Sequence, residues 1–206
     1  MRLPSWMLRD QALYISGLLV ENVGGPPVKG YHPPGIWEDA TFGQIRYEQD
    51  HGEALYRRSL YTFWRRIVAP PMFFDSANRQ NCSVKSVNTN TPLHALVTLN
   101  DVTFAEASRA WAQRMLLVEE ETTDAKRLQT MWRSATGRVA LDHELAILEA
   151  RLNKLRAYYS VHADEAMGLI QVGESKANPK LDTGELAAWT CIASIVLNLD
   201  ETLSKE

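Results

Sequence analysis

"DTGELAAWTCIASIVLNL", residues 182 to 199, is apolar on nearly every side of a helical wheel. Ala187, Ala188, Trp189, Cys191, Ile192, Ala193, Ile195, Val196 and Leu197 leave little polar face for water. A helix that is hydrophobic all round is a buried one. No stretch of the chain reaches the eighteen or more apolar residues of a membrane span. The segment therefore reads as the central helix of a bundle, over about 183–199. Asp182 followed by Glu185 has capping-box spacing, with Asp in place of the usual Ser or Thr.

Working outward, Leu145, Leu148, Leu152, Leu155 and Tyr159 alternate by three and four, the seam of an antiparallel partner helix that Asp142 can cap. A short helix is expected at 163–172. Leu128, Met131, Trp132 and Ala135 mark another helix, stopped by Gly137. Phe104, Ser108, Trp111 and Met115 line one face of a helix that Asn100 or Asp101 can start and that reaches about Val118. Thr91 before Pro92 favours a short helix over 94–99. Near the N-terminus, Leu8, Ala12, Ile15 and Leu19 share one face of a helix expected over 6–23, ended by Gly24, Gly25 and two prolines. A further helix is expected over 53–68, with Leu60, Phe63, Trp64 and Ile67 as its buried face. Glu119 to Glu121 read as a solvated helix end or turn.

Two stretches lack periodicity: 26–52, rich in Pro, Gly and aromatics with a short strand expected near 44–47, and 73–91. Loops this long are functional or disordered, and the aromatic content argues against disorder. The fold class is thus mainly α: an irregular helical bundle of about six to eight helices, with two long ordered loops over one side, in a single domain spanning 1–206.

Composition narrows function little. Hydrophobic residues make up 45% and charged residues 23% of the 206, and 22 basic against 25 acidic residues give a net charge of −3. No nucleic-acid footprint appears in that balance. Arg9, Asp10 and Gln11 interrupt what would be the apolar core of a signal peptide. Cys82 and Cys191 are the only cysteines, too few for a disulfide framework, and Cys191 reads as a small buried hydrophobe.

Catalytic signatures are sparse. His32, His51, His94, His143 and His162 form no His-Glu-x-x-His pair, and Gly-x-Ser-x-Gly and phosphate-loop spacings are missing. Glu38, Asp39, Glu48 and Asp50 could supply a carboxylate pair, though spacing does not require it. Arg57, Arg58, Arg65 and Arg66 cluster with Tyr61 and Trp64. They suit an anionic ligand, or else their stems cover apolar surface. Thr89, Asn90 and Thr91 are sufficiently explained as loop and helix-end caps.

The phrases GGPPVKGYHPPGIWEDATFG (24–43), QDHGEALYRRSLYTFWRR (49–66), FFDSANRQNC (73–82) and TNTPLHALVTLND (89–101) resemble the C-terminal domain of the planctomycete cytochrome c-associated family of proteins of unknown function. The closing ELAAWTCIASIVLNLDETLSKE resembles how that family ends. The resemblance implies an exported, multidomain parent with a cytochrome c-like region and another helical domain upstream, hence a periplasmic or extracytoplasmic location. This chain lacks Cys-x-x-Cys-His, so no covalent haem and no other cofactor is expected. The family's recurring residues fall on His32, Trp37, Asp50, His51, Arg57, Arg58, Tyr61, Trp64, Asp75, Arg79, Cys82, Thr89, Asn90, Thr91, Asn100 and Asp101. His94 stands where many relatives have glutamine, which weighs against a catalytic His94.

Two functional expectations follow. The first is a non-catalytic binding or scaffolding module whose partner is a glycan or an upstream domain of the same parent. Its ligand-binding residues would be Trp37, Arg57, Arg58, Tyr61, Arg79 and Asn90. The alternative is an enzyme with a site between loops 26–52 and 73–91, acting on polysaccharide. Asp50, His51 and Asp75 would be its acids and bases, and Arg57 or Arg79 its anion clamp. The resemblance also places Met1 inside the family domain. The isolated chain is then expected to self-associate or to expose an apolar patch near residues 6 to 19.

Overall fold

The computed structural model describes residues 1–65, 67–76, 89–118 and 123–204. Arg66, Arg79, Cys82 and the acidic run Glu119 to Glu121 lie outside the described residues. Within them the protein is all-helical: α1 (Ser5–Ser16), α2 (Ile36–Ala40), α3 (Pro92–Asn100), α4 (Val102–Leu117), α5 (Asp124–Thr136), α6 (Asp142–Tyr159), α7 (Ala163–Ile170), α8 (Thr183–Leu197) and α9 (Asp200–Leu203). Isolated bridges pair Arg2 with Ser204, Val20 with Arg57 and Val28 with Thr62, and no strand forms among the described residues, at 44–47 or elsewhere.

Helix α8 lies where its composition puts it. It packs against α4, α5, α6, α7 and α9. Leu186, Ala187, Ala188, Trp189, Ile192, Ala193 and Val196 are each 1% exposed or less. The alanines share one core with Ala107 and Ala112 of α4, the helix α8 packs against. Leu148, Leu152 and Leu155 of α6 and Leu128, Met131 and Trp132 of α5 complete the core. Each fully buried aliphatic side chain contributes about 1.5–3 kcal/mol relative to exposure. Asp182 caps α8 by accepting from the Glu185 amide (2.8 Å), and Asp101 caps α4 through the Thr103 amide (2.9 Å). Gly137 ends α5 in the left-handed conformation (φ 82°). Asp142 is the first residue of α6 rather than its cap. There the Glu144 carboxylate reaches back to the Leu141 amide at 2.7 Å. Cys191 is half-buried, with its Sγ 3.3 Å from the Tyr159 hydroxyl, and burial pushes its thiol pKa up.

Two helices depart from expectation. Helix α1 stops at Ser16, not near Val23, because Gly17 (φ 79°) turns the chain and brings the Leu18 and Leu19 amides back to the Leu13 carbonyl, both at 3.0 Å. Along α1, Leu8, Ala12, Leu13 and Ile15 are buried, while Trp6, Met7 and Tyr14 are exposed. The larger departure is at 53–68. In place of a helix there are two 3₁₀ turns, Gly52–Tyr56 and Ser59–Tyr61, joined by extended residues. An α-helix needs the Leu55 carbonyl to accept from the Ser59 amide. Here the buried Arg9 guanidinium takes the Leu55 and Arg57 carbonyls (both 2.8 Å), and Asp10 takes the Ser59 amide (2.7 Å). Both halves of the helical bond are occupied by α1. Leu60 and Ile67, expected inside, are exposed, and Leu55 and Tyr56 are buried instead.

The 26–52 loop has a small core of its own. Trp37, 1% exposed, stacks on Tyr47 (ring centroids 5.1 Å) and meets His32 and Phe63 at 5.8 and 5.7 Å. Asp50 closes the loop's neck, its amide bonded to the Lys29 carbonyl and its carboxylate to the Lys29 amide.

Candidate functional site

The residues expected to act together each have partners of their own. Asp50 is engaged by the Lys29 amide (2.7 Å). His51 is exposed and pairs with Glu174 at 2.8 Å, and the same carboxylate accepts from the Gly52 amide. The Glu174 carboxyl is held below its usual pKa, first by the Gly52 amide and then by His51. The faces of Trp37 are covered by its aromatic neighbours. Arg57 is buried over the Tyr61 ring (4.0 Å) and donates to the Asn22 and Pro26 carbonyls, both at 3.0 Å, and to that of Gly24. The Tyr61 hydroxyl accepts from the Gly24 amide. Together Arg57 and Tyr61 knit the GGPP turn to the 3₁₀ segment. Asp50 and Arg57 also line a shallow cleft of about 550 Å³ with Lys29 and Glu53. Asn90 accepts from Arg2.

Asp75 has a different setting. Its backbone is left-handed (φ 58°), unusual for a residue other than glycine. Its two carboxylate oxygens accept from the Thr89 amide and hydroxyl, at 2.5 and 2.8 Å. His94, on the inner face of α3, puts Nε2 3.7 Å from Asp75 Oδ1 and is 7% exposed. The Phe74 ring stacks on the imidazole at 4.0 Å, and His94 Nδ1 is buried without a hydrogen-bond partner among the described residues. Strain at a non-glycine residue clusters at functional sites.

A cleft of about 440 Å³, lined by Phe73 and Ser76 but not by Asp75 or His94, borders the same turn. Helix α1 contributes Trp6 and Asp10, the 3₁₀ segment Arg58 and Trp64, and the turn after Pro71 Phe73 and Ser76. Phe73 and Ser76 flank Phe74 and Asp75 in the chain, so Asp75 and the cleft wall share one turn. Trp6 is 45% exposed, and Trp64 lies tilted against Phe73 at 5.8 Å. The walls are apolar and aromatic, with a few charged groups at one side, the usual make-up of a small-molecule site. Asp10 is fixed from behind. Its Oδ1 accepts from the Ser59 amide and lies 3.7 Å from Arg9, and its Oδ2 is 3.6 Å from Arg58 Nε.

One constellation has no counterpart in the sequence reading. Glu106 and Arg109 of α4 are each 1% exposed. The Glu106 carboxylate accepts from the Tyr31 and Tyr56 hydroxyls (2.9 and 2.8 Å) and from the Ser175 amide and hydroxyl (2.6 and 2.7 Å). Arg109 donates to the Ser175 carbonyl (2.8 Å), and the Tyr31 hydroxyl accepts from the Glu174 amide. Burial, reinforced by Glu106, pushes Tyr56 up to about 12 and raises Tyr31 further. Gly173 is left-handed (φ 87°) and so close that a Cβ there would run into the Glu106 carboxylate. The network ties the 26–56 region to α4 and to the turn before α8. Two charges at i, i+3 inside the otherwise buried stretch FAEASRAWA were the available signal.

Among the described residues no three His, Cys, Asp or Glu side chains gather as a metal site, and no helix is long and apolar enough to cross a membrane. Neither a curated protein nor a solved structure matches the chain. The model of one family, described as PSD1, protein of unknown function (DUF1553), matches residues 1–152.

Proposed function

The chain belongs to this family, which occurs as the C-terminal domain of planctomycete cytochrome c-associated proteins, and from that premise we propose that it is an acid–base enzyme acting on a saccharide in the Trp6–Trp64 cleft. The observation that carries the proposal is Asp75, paired with His94 of α3 and set between the cleft-lining Phe73 and Ser76, with its backbone held in a left-handed conformation. Asp75 is the proton-transfer group. His94 positions it and stands against its charge, and aromatic rings supply the stacking surface that a sugar face requires. Asp50 and His51, occupied elsewhere, have no part in this reaction. The parent protein's upstream domains are the proposed neighbours, and the proposed location is extracytoplasmic.

A second reading, the non-catalytic binding or scaffolding module, draws on the two Thr89 hydrogen bonds to Asp75, which suit a structural carboxylate equally well. Product release from a panel of polysaccharides, with binding measured in parallel, separates the two. The enzyme reading expects turnover that falls roughly 100-fold or more in Asp75→Asn and less in His94→Gln, with binding retained in both. Binding without turnover by the unaltered chain selects the module. Failure to bind any saccharide removes the enzyme reading and leaves the module only as a scaffold for an upstream domain.

A further inference from the structure

We propose that the saccharide taken by this cleft carries an anionic substituent, a carboxylate or a sulfate ester, and that Arg58 recognises it; this rests on the saccharide reading above.

Of the arginines near the cleft, Arg9 is buried and its two Nη groups are committed, donating to the Leu55 and Arg57 carbonyls and to Ser59 Oγ. Its charge faces Asp10 and Asp101. Arg57 is committed to three carbonyls of the 22–26 turn. Arg58 differs. Its side chain is 58% exposed and lines the cleft, and its contact with protein is Nε at 3.6 Å from Asp10 Oδ2, beyond hydrogen-bond length. Neither of its Nη groups has a partner among the described residues.

Asp10 is itself anchored by the Ser59 amide, so it can orient Arg58 from the Nε side while the two Nη groups stay open. A planar fork held in this way matches a carboxylate or sulfate in bidentate fashion. Trp6 and Trp64 stand at the same cleft, where a ring can stack while its substituent reaches the fork. A neutral sugar would leave those four N–H bonds to water. An anionic one gains charge-assisted bonds that are partly screened by solvent.

The test is calorimetric titration of the full chain with three probes of matched length: an oligogalacturonate, a sulfated galacto-oligosaccharide and a neutral galacto-oligosaccharide. At least one anionic probe is expected to bind more tightly than the neutral one, and to weaken as salt rises. Arg58→Gln is expected to lower that affinity roughly 10- to 100-fold, the equivalent of one charge-assisted contact, and to lower neutral binding far less. Arg58→Lys should restore part of the loss. Preference for the uronate probe or for the sulfated probe identifies the substituent. Equal binding of neutral and anionic probes, or an Arg58→Gln chain that binds the anionic probe unchanged, overturns this proposal and leaves the saccharide reading in place. No binding of any probe removes that reading as well. Unaltered thermal unfolding of Arg58→Gln, expected for an exposed side chain, ties any lost affinity to the site.

Discussion

Glu106→Ala would remove the acceptor for four hydrogen bonds and the carboxylate facing Arg109, all of them in the interior. Breaking a buried charged network from one side costs about 3–5 kcal/mol, because the remaining groups stay desolvated without partners. Urea unfolding of Glu106→Ala should show a loss of that order, with Glu106→Gln intermediate since it keeps one acceptor oxygen. A loss below about 1 kcal/mol would mean that water replaces the carboxylate. At this scale the sequence was informative for caps and core residues: Asp101, Asp182, Gly137, Trp111 and Trp189 do what their local patterns indicate. It was uninformative about partners. Asp75 was legible as a candidate, but that His94 would meet it was not, because nothing local to either residue encodes a contact across the turn.

The 52–64 segment shows the same limit for elements. Its composition suits a helix, and Arg9 and Asp10, 46 to 49 residues earlier, take the groups a helix would pair. The helices around α8 were legible because their apolar period is a local property. The 3₁₀ segment was not, because its backbone bonds go to another helix. Arg9→Met keeps the stem's apolar contacts and frees the Leu55 and Arg57 carbonyls. It should destabilise the chain by about 3 kcal/mol, as two buried acceptors lose a charged donor. Amide hydrogen exchange at Val20, Val28 and Ser59, whose bonds tie this segment to its neighbours, should accelerate well beyond the global average. Uniform acceleration across all helices would instead mean that the segment has no separate stability.

For the molecule as a whole, the acid limb of stability is tied to the α5–α6 corner. Arg138 lies over the Trp132 ring (5.0 Å) and bridges Glu144 and Glu201, each at 2.7 Å, joining the start of α6 to α9. Arg138 first, and then the Leu141 amide, hold the Glu144 carboxyl down from the usual 4.5 to about 2. A depressed folded-state pKa stabilises the fold above the unfolded value and loses that contribution as pH falls from about 4.5 through about 2. The stability gap between the unaltered chain and Glu144→Gln should therefore be widest at neutral pH and close over that range in urea titrations. A gap constant down to pH 2 would contradict the assignment. The Glu106 clasp also orders events in time. Tyr31, Tyr56 and Glu106 are all translated before Ser175, which stands 69 residues beyond Glu106. On the ribosome the carboxylate emerges with its tyrosines available and its last two donors not yet made. The aromatic loop at 26–52 therefore reaches its final lock only near the end of synthesis, and a nascent chain paused before Gly173 carries that loop unfastened.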